Sequence, residues 1–415
     1  MKPFRCLNNY ALFAIVLTSA CSDGPPPKIA APPVVAIENP APAGSAQPGM
    51  TWGASDALYL SWQERRADSS VALRFAVLSG DGAWSPVHDV QTGQNITVSS
   101  TDVPTIHEQP GGRLVAVWRG SHDARGYDIV LAHSDDHGAT WSAPHSPHRD
   151  NTNTEHGFTS WLQLGDTSSL VWVGARHHAD AEKGAQNSQL TLATFDAKGE
   201  PQIESVLDDK ICDCCHTSTA LVPGGAVIVY RDRHEGEIRD ISLLRNSHGK
   251  WNAPVSVHDD GWRISGCPVN GPTASASGAD VAVAWFTAAH DSARVRVAYP
   301  SDTGNTFAKP IEINEGFPDG RVGIALMATG ETVVSWIERR GAVAVLRLRT
   351  VQNNGLRSEI SNVAELGEGK RAGGAPKLLA SETSVVLAWT DAATNRVKLA
   401  SISLHSIGML IVPTR

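Results

Sequence analysis

Residues 210–219, Lys-Ile-Cys-Asp-Cys-Cys-His-Thr-Ser-Thr, place Cys212, Cys214, Cys215 and His216 within five positions of a chain that has only six cysteines. Another thiol, Cys267, stands in the run Ser-Gly-Cys-Pro-Val-Asn-Gly-Pro. Two or three thiolates with an imidazole form a soft ligand set that suits copper or zinc, and His156 is a further imidazole available to it. In an oxidising compartment the same residues pair instead, Cys267 with one of Cys212, Cys214 or Cys215. A tight ring among neighbouring cysteines would be strained and open to exchange. Residue types and spacing leave metal, staple and redox exchange all open.

A second concentration of chemistry lies in Tyr-Arg-Asp-Arg (230–233) followed by Arg239-Asp240. Arginine offers a planar donor fork to a carboxylate. Arg119, Arg176, Arg231, Arg321 and Arg371 together could recognise an anionic ligand, with Asp232 or Asp240 beside them as an acid. The competing reading pairs these arginines with their aspartates as ties between loops.

Something must position these residues, and the chain repeats itself. A short apolar strand ending in an aromatic recurs at Trp62, Trp118, Trp172, Tyr230, Trp285, Trp336 and Trp389, at intervals of 51 to 58 residues. Around each aromatic the order is the same: an apolar segment, a Gly-containing turn, the aromatic strand, a polar loop and a period-two strand. No stretch sustains helical periodicity, so the chain is all-β. Four-stranded modules at this spacing predict a β-propeller, and seven modules are counted. The seventh lacks a fourth strand, which the apolar piece 34–37 can supply. In such a blade the third-to-fourth-strand turns lie on one face and the connectors between blades on the other. The cysteines, most of the arginines, Tyr127 and Glu155-His156 all fall in loops of the second kind, at the axial mouth where propellers bind.

The turn Ser-Asp-Asp-His-Gly-Ala-Thr-Trp (134–141) resembles the Asp-box of bacterial sialidases and related propellers, with Ser134, Asp136, Gly138, Thr140 and Trp141 at its defining positions. Residues 300–307 form a partial copy. In that family the box is structural, and six blades are usual, so six is the alternative to the count of seven. The resemblance implies an exo-glycosidase of terminal sialic acids in which three arginines hold the substrate carboxylate, a Glu activates a Tyr nucleophile and an Asp is the acid/base. Arg231, Arg321, Asp232, Asp240 and Tyr127 are the candidates here. The family's opening Arg-Ile-Pro is absent, Tyr-Leu-Ser-Trp-Gln-Glu-Arg-Arg standing in the first module, and no catalytic residue transfers position by position.

Residues 1–20 carry Lys2, Arg5 and a short apolar run, the pattern of a secretory signal too short to span a membrane. Leu-Thr-Ser-Ala-Cys (17–21) resembles the lipobox of bacterial lipoproteins, which implies a lipidated Cys21. Ser22 after it resembles the signal for the outer membrane. Residues 21–49, rich in Pro and Ala, read as a tether. Residues 50–405 then form the propeller and 406–415 a tail. Removing the leader takes two basic residues and no acid, leaving 33 basic against 43 acidic side chains. That balance, without a long Lys/Arg run, argues against nucleic acid. A lipid anchor would be the only membrane attachment. The expected protein is a monomeric envelope lipoprotein whose mouth takes a soft metal or a small anionic or glycan ligand. The enzymatic alternative is the sialidase-type hydrolase, and a disulfide-stapled interaction scaffold is a third.

Replacing Cys21 by Ser should release the protein from the detergent-extracted membrane fraction without altering the circular dichroism of the body. Persistent membrane partitioning of the variant would exclude the anchor.

Overall fold

Period-two alternation gives each strand two faces, and a module with both faces apolar must be sandwiched between neighbours. A closed ring of blades meets that demand. The computed structural model describes residues 29–403 apart from 124–125, 151, 153, 176–186, 197–198, 200, 301–305, 370–372 and 382–383. The expectations for the leader, Cys21, Arg176, Arg371, most of the 300–307 turn and the tail lie outside the described residues.

Seven antiparallel sheets succeed one another around an axis. Blades one to six span 45–93, 105–145, 156–211, 218–258, 273–312 and 317–368. Each meanders outward from an innermost strand. Blade two has three ladder strands, and its outer segment is held by paired hydrogen bonds between Leu131 and His145, 2.8 and 2.9 Å. Blade seven takes three strands from 377–403 and its outermost one, Val35–Ile37, from the other end of the chain, in register Val35 to Ser401 and Ile37 to Leu399. The count of seven and the closing role of 34–37 are both borne out. The folded body starts earlier than residue 50. The innermost strand of blade one is Ser45–Trp52, and it admits Pro48 because its register shifts between Ala46 and Gly49, so that the proline owes no ladder hydrogen bond there.

The core is divided by the ring. Seven apolar clusters form, one between each pair of adjacent blades, including one between blades seven and one. The repeated aromatics sit in them, with Trp62, Trp172, Trp285 and Trp336 wholly buried. Their polar tips need partners in that setting. Trp62 donates to Glu64 at 2.7 Å, Trp336 to Glu338 at 2.9 Å, Trp285 to Asp260 at 2.7 Å and Tyr230 to Asp208 at 2.6 Å. Polar rungs also cross between blades near the axis, such as Thr219 Oγ1 to the Trp161 carbonyl at 2.7 Å.

The 134–141 turn is closed by its own side chains. Asp136 accepts from Thr140 N–H at 2.8 Å, Thr140 Oγ1 at 2.6 Å and Ser134 Oγ at 2.8 Å. Gly138 has φ +89°, and a Cβ there would lie 2.4 Å from the Phe75 ring of blade one. Trp141 meets the same ring edge-on at 6.0 Å, so the turn pins blade two to blade one.

The Thr140 hydroxyl and amide, and then Ser134, hold the Asp136 carboxyl down from 3.8 to about 2. A depressed folded value means the stabilisation is present above pH 3.8 and is lost as pH falls toward 2. Asp136→Asn should therefore be less stable than the parent at neutral pH, with the gap closing between pH 4 and 2 in denaturant titrations. A gap independent of pH over that range would assign the effect to shape.

Candidate active site

The innermost strands of three blades bulge where they enter the mouth. Register shifts between Ala46 and Gly49, opposite Val171 to Val173, and between Gly320 and Gly323. The residues at the bulges, Gln47, Phe158 and Arg321, have φ of 59°, 57° and 54°. Such conformations cost a non-glycine residue about 1–3 kcal/mol and re-aim side chains. Below them an axial cavity of about 700 Å³ is lined by His107, Trp161, His216, Thr217, Arg321 and Lys377 among others. His216 is held neutral, its pKa down to about 3, by burial and by the charges of Lys377, Arg321 and Arg231. Arg321 is fixed through its own amide, which donates to Asn270 Oδ1 at 2.9 Å, and through its guanidinium on the Val269 carbonyl.

Beside the cavity, blades two and three bring an acid, a phenol and a cation together. The Arg119 guanidinium lies 3.5 Å from the centre of the Tyr127 ring. The exposed Glu155 carboxylate and Asp102 are both close enough for their charges to act on the Tyr127 phenol. Burial and then Glu155 raise the Tyr127 pKa, while Arg119 opposes them. Asp102 accepts the Phe158 amide at 3.0 Å. Burial raises its carboxyl above the ordinary value, against the pull of that amide, Arg119 and Lys377. Lys377 is in turn lowered by burial and supported by Asp102. Only glycine fits at 157, where a Cβ would stand 2.6 Å from Asp102 Oδ2 and 3.0 Å from Tyr127 Cε2.

The cysteines divide into two pairs. Cys214 and Cys267 form a disulfide, with Cα atoms 6.0 Å apart, between the connectors that enter blades four and five. Of the three clustered thiols it is thus Cys214 that faces Cys267. Cys212 and Cys215 are buried free thiols that share a hydrogen bond, Sγ to Sγ 2.9 Å. Burial would raise Cys212, but the Cys215 thiol, the Cys214 amide, Arg231 and Arg239 outweigh it and bring the pKa to about 6. Burial and then the bond to Cys212 push Cys215 well up. The two shifts run in opposite directions, and Arg239 Nη1 lies 3.4 Å from the Cys212 sulfur. The sulfurs of Cys212, Cys214 and Cys215 lie within 4.8 Å of one another, so reduction of the disulfide would present three to a soft ion.

The proposed ligand set is otherwise dispersed. His216 lines the axial cavity with Lys377 and Arg321, and His156 packs on His148 between Asp128 and Asp150. Three of the catalytic candidates are framework. Arg231 is buried and places its three guanidinium nitrogens on the carbonyls of Asn270, Arg239 and Phe286, at 2.9, 2.6 and 2.6 Å. Asp232 accepts Ser242 Oγ and the Arg233 amide, both at 2.7 Å, and Asp240 caps the amides of Gly261 and Trp262 at 2.8 and 3.0 Å. Arg231 and Asp240 are thus tied to backbone and Asp232 to backbone and Ser242, while Arg233 and Arg239 make acid pairs, with Asp213 at 3.2 and 3.9 Å and with Glu237 at 2.8 and 2.9 Å. Tyr127 and Arg321 stand at the mouth as expected. Sequence reasoning passed over Asp102 and Lys377. Asp102 lies in the connector entering blade two, a position of the same kind as the cysteine connectors, and Lys377 is a lone charge on the innermost strand of blade seven.

No protein-family model and no curated protein matches this sequence. Solved structures do. An ulvan lyase of polysaccharide lyase family 25 superposes with a TM-score of 0.54 at 10% identity, covering 92% of this chain and 98% of that one. The Hadza microbial sialidase gives 0.49 at 12% identity over 82% and 74% of the two chains. The α-L-arabinofuranosidase of Fusarium graminearum gives 0.47 at 13% identity over 92% and 99%. The likeness at these identities is one of fold.

The Cys214–Cys267 bond closes a loop of 53 residues across two blades. Cys267→Ser should lower stability by about 2–4 kcal/mol in denaturant titrations. An unchanged midpoint would mean that the blade interface already supplies the constraint.

Proposed function

We propose that the mouth binds a carboxylate-bearing sugar and that the protein is a glycoside hydrolase acting through Tyr127. The observation that carries this reading is the placement of the Tyr127 phenol under Arg119 and beside Asp102, with the charge of Glu155 acting on it. A phenol of raised pKa is a poor nucleophile unless a base takes its proton as it attacks. Glu155 is that base. Tyr127 Oη bonds to the anomeric carbon as its proton passes to Glu155, and Asp102, whose carboxyl burial raises above the ordinary value, gives its proton to the departing glycosidic oxygen. In the second half Asp102 accepts a proton from water, the water oxygen bonds to the anomeric carbon, and the Tyr127 oxygen leaves and recovers its proton from Glu155. Arg321 and Lys377 face the substrate carboxylate, which explains cations at the axis of a chain with net charge −8. The ulvan lyase, solved bound to -[GlcA(1-4)Rha3S]-, offers a parallel for acidic sugars on such a ring.

The reading includes a monomer held at the outer membrane by a lipidated Cys21. It leaves out copper or zinc at the thiols, because Cys214 and Cys267 are joined and His216 faces the axis.

The test is turnover of fluorogenic sialosides and uronides by the parent protein, Tyr127→Phe and Arg321→Ala. Tyr127→Phe should lose about 100-fold or more in kcat, and Arg321→Ala should raise KM. Undiminished turnover by the phenylalanine variant would remove Tyr127 from the chemistry. Absence of turnover on every acidic glycoside would sink the reading. An ultraviolet-absorbing unsaturated uronyl product would replace hydrolysis by elimination.

A further inference from the structure

Directly behind Tyr127 and Glu155, the next residue of each segment turns inward. Asp128 and His156 are 2% and 1% exposed, and they meet His148 and Asp150 from the connector between blades two and three. The two imidazoles stack with centroids 3.9 Å apart at 18°. On one side Asp150 takes both rings: His148 Nδ1 to Oδ1 at 2.9 Å and His156 Nε2 to Oδ2 at 2.9 Å. On the other side is Asp128, whose oxygens lie 2.7 and 2.8 Å from His148 Nε2 and 3.3 Å from His156 Nδ1. Ser146 Oγ donates to Asp128 Oδ2 at 3.0 Å and lies 2.9 Å from His148 Nε2, and the Ile129 amide donates to Asp128 Oδ1 at 2.8 Å.

A neutral imidazole has one N–H. If Asp150 receives one from each ring, His148 carries its proton on Nδ1 and His156 on Nε2. The lone pairs of His148 Nε2 and His156 Nδ1 then both face the Asp128 carboxylate. His156 Nδ1 is a buried atom with no hydrogen-bond partner. Three acceptors converging in a buried site require positive charge among them. One extra proton on His148 Nε2 would serve Asp128 and still leave His156 Nδ1 without a partner, and a second would stack two imidazolium rings face to face. One divalent ion supplies the charge at a single point, and Asp150 then does what outer carboxylates do for metal-bound histidines, fixing tautomer and ring orientation.

We propose that Asp128, His148 and His156 bind one first-row divalent metal ion, zinc foremost, with Asp150 as the carboxylate that holds both rings. Their ligand atoms lie within 4.8 Å of one another. Ligands of one tetrahedral zinc ion sit about 3.3 Å apart for bonds of about 2.0–2.1 Å, so the 3.3 Å contact of Asp128 with His156 already fits and those of 2.7 and 2.8 Å with His148 need lengthen by about half an ångström. The set of two nitrogens and one oxygen is one that zinc accepts. The ion would clamp the residues that follow Tyr127 and Glu155 in sequence, and so set the distance between phenol and carboxylate. That consequence rests on the proposed hydrolase reading; the metal binding does not.

Metal analysis of the full-length protein purified without chelators should find about one equivalent of zinc, and none in His148→Ala or His156→Ala. Asp150→Asn should bind zinc about 10–100-fold more weakly while keeping the full stoichiometry, an effect on affinity that a merely structural carboxylate would not give. A chelator should lower the Tm of the parent and leave that of the His148→Ala variant unchanged. Where the variants do not fold, cobalt(II) added to the chelator-treated parent decides the matter. Visible ligand-field bands without sulfur-to-cobalt charge transfer support the site, and charge-transfer bands place the ion on Cys212 and Cys215. That result, or folded parent protein that takes up neither zinc nor cobalt, overturns the proposal even if glycosidase activity is found. Loss of turnover with metal retained would tell against the hydrolase reading alone.

Discussion

Each blade has an apolar face that only the next blade can cover, and the rest of the molecule follows from that dependence. The aromatic ending each second strand carries it: a wholly buried Trp62, Trp172, Trp285 or Trp336 is worth about 3–5 kcal/mol against alanine in a packed interior. Burying an indole also buries its N–H, and Glu64, Asp260 and Glu338 supply carboxylates to three of these four, while Trp172 Nε1 is left without a partner. With seven interfaces each so filled, the stem of the fold is rigid, and the loops at one end are free to carry strained and charged residues without unfolding it.

That rigidity explains the mouth. Phe158 and Arg321 hold left-handed backbone conformations, and Asp102, Tyr127 and Lys377 crowd within reach of one another's charge. Such an arrangement opposes stability locally and persists because the inner strands below it are locked by their neighbours. Acid, phenol and cation come from blades two, three, six and seven and the connectors entering them, so the site belongs to the ring and to no single module.

Much of the fold was legible because its signals are local and repeated. Trp62 through Trp389 mark seven strands by position alone, and Val34–Ile37 stands out as an apolar island in a Pro-rich stretch. The disulfide was legible as far as consecutive connectors bring Cys267 near the clustered thiols; which sulfur it takes depends on side-chain direction, which spacing does not carry. Arg231 and Asp240 misled because a buried arginine clamp and a catalytic arginine look alike in sequence, and only the carbonyls around the guanidinium tell them apart. His156 stood out in sequence only as a partner for the thiols, and Asp102, Lys377, Asp128 and His148 were illegible for the opposite reason. Each is unremarkable among its sequence neighbours and gains its chemistry from segments of other blades, or from loops folding back on them.

The closing strand ties the molecule's assembly to its chain order. Val35 pairs with Ser401, so blade seven cannot be completed until the last strand has been made. During synthesis the first six blades can form in sequence, each covering its predecessor, while the segment around residue 36 waits unpaired and one flank of blade one stays bare. The ladder that finishes the ring thus has nearly the greatest sequence separation the chain permits, and closing it costs the most chain entropy. Until then the nascent protein is an open arc with two sticky ends, and a second arc could satisfy them as well as its own. Any factor that shields residues 34–37 during that interval would favour one closed ring over linked copies.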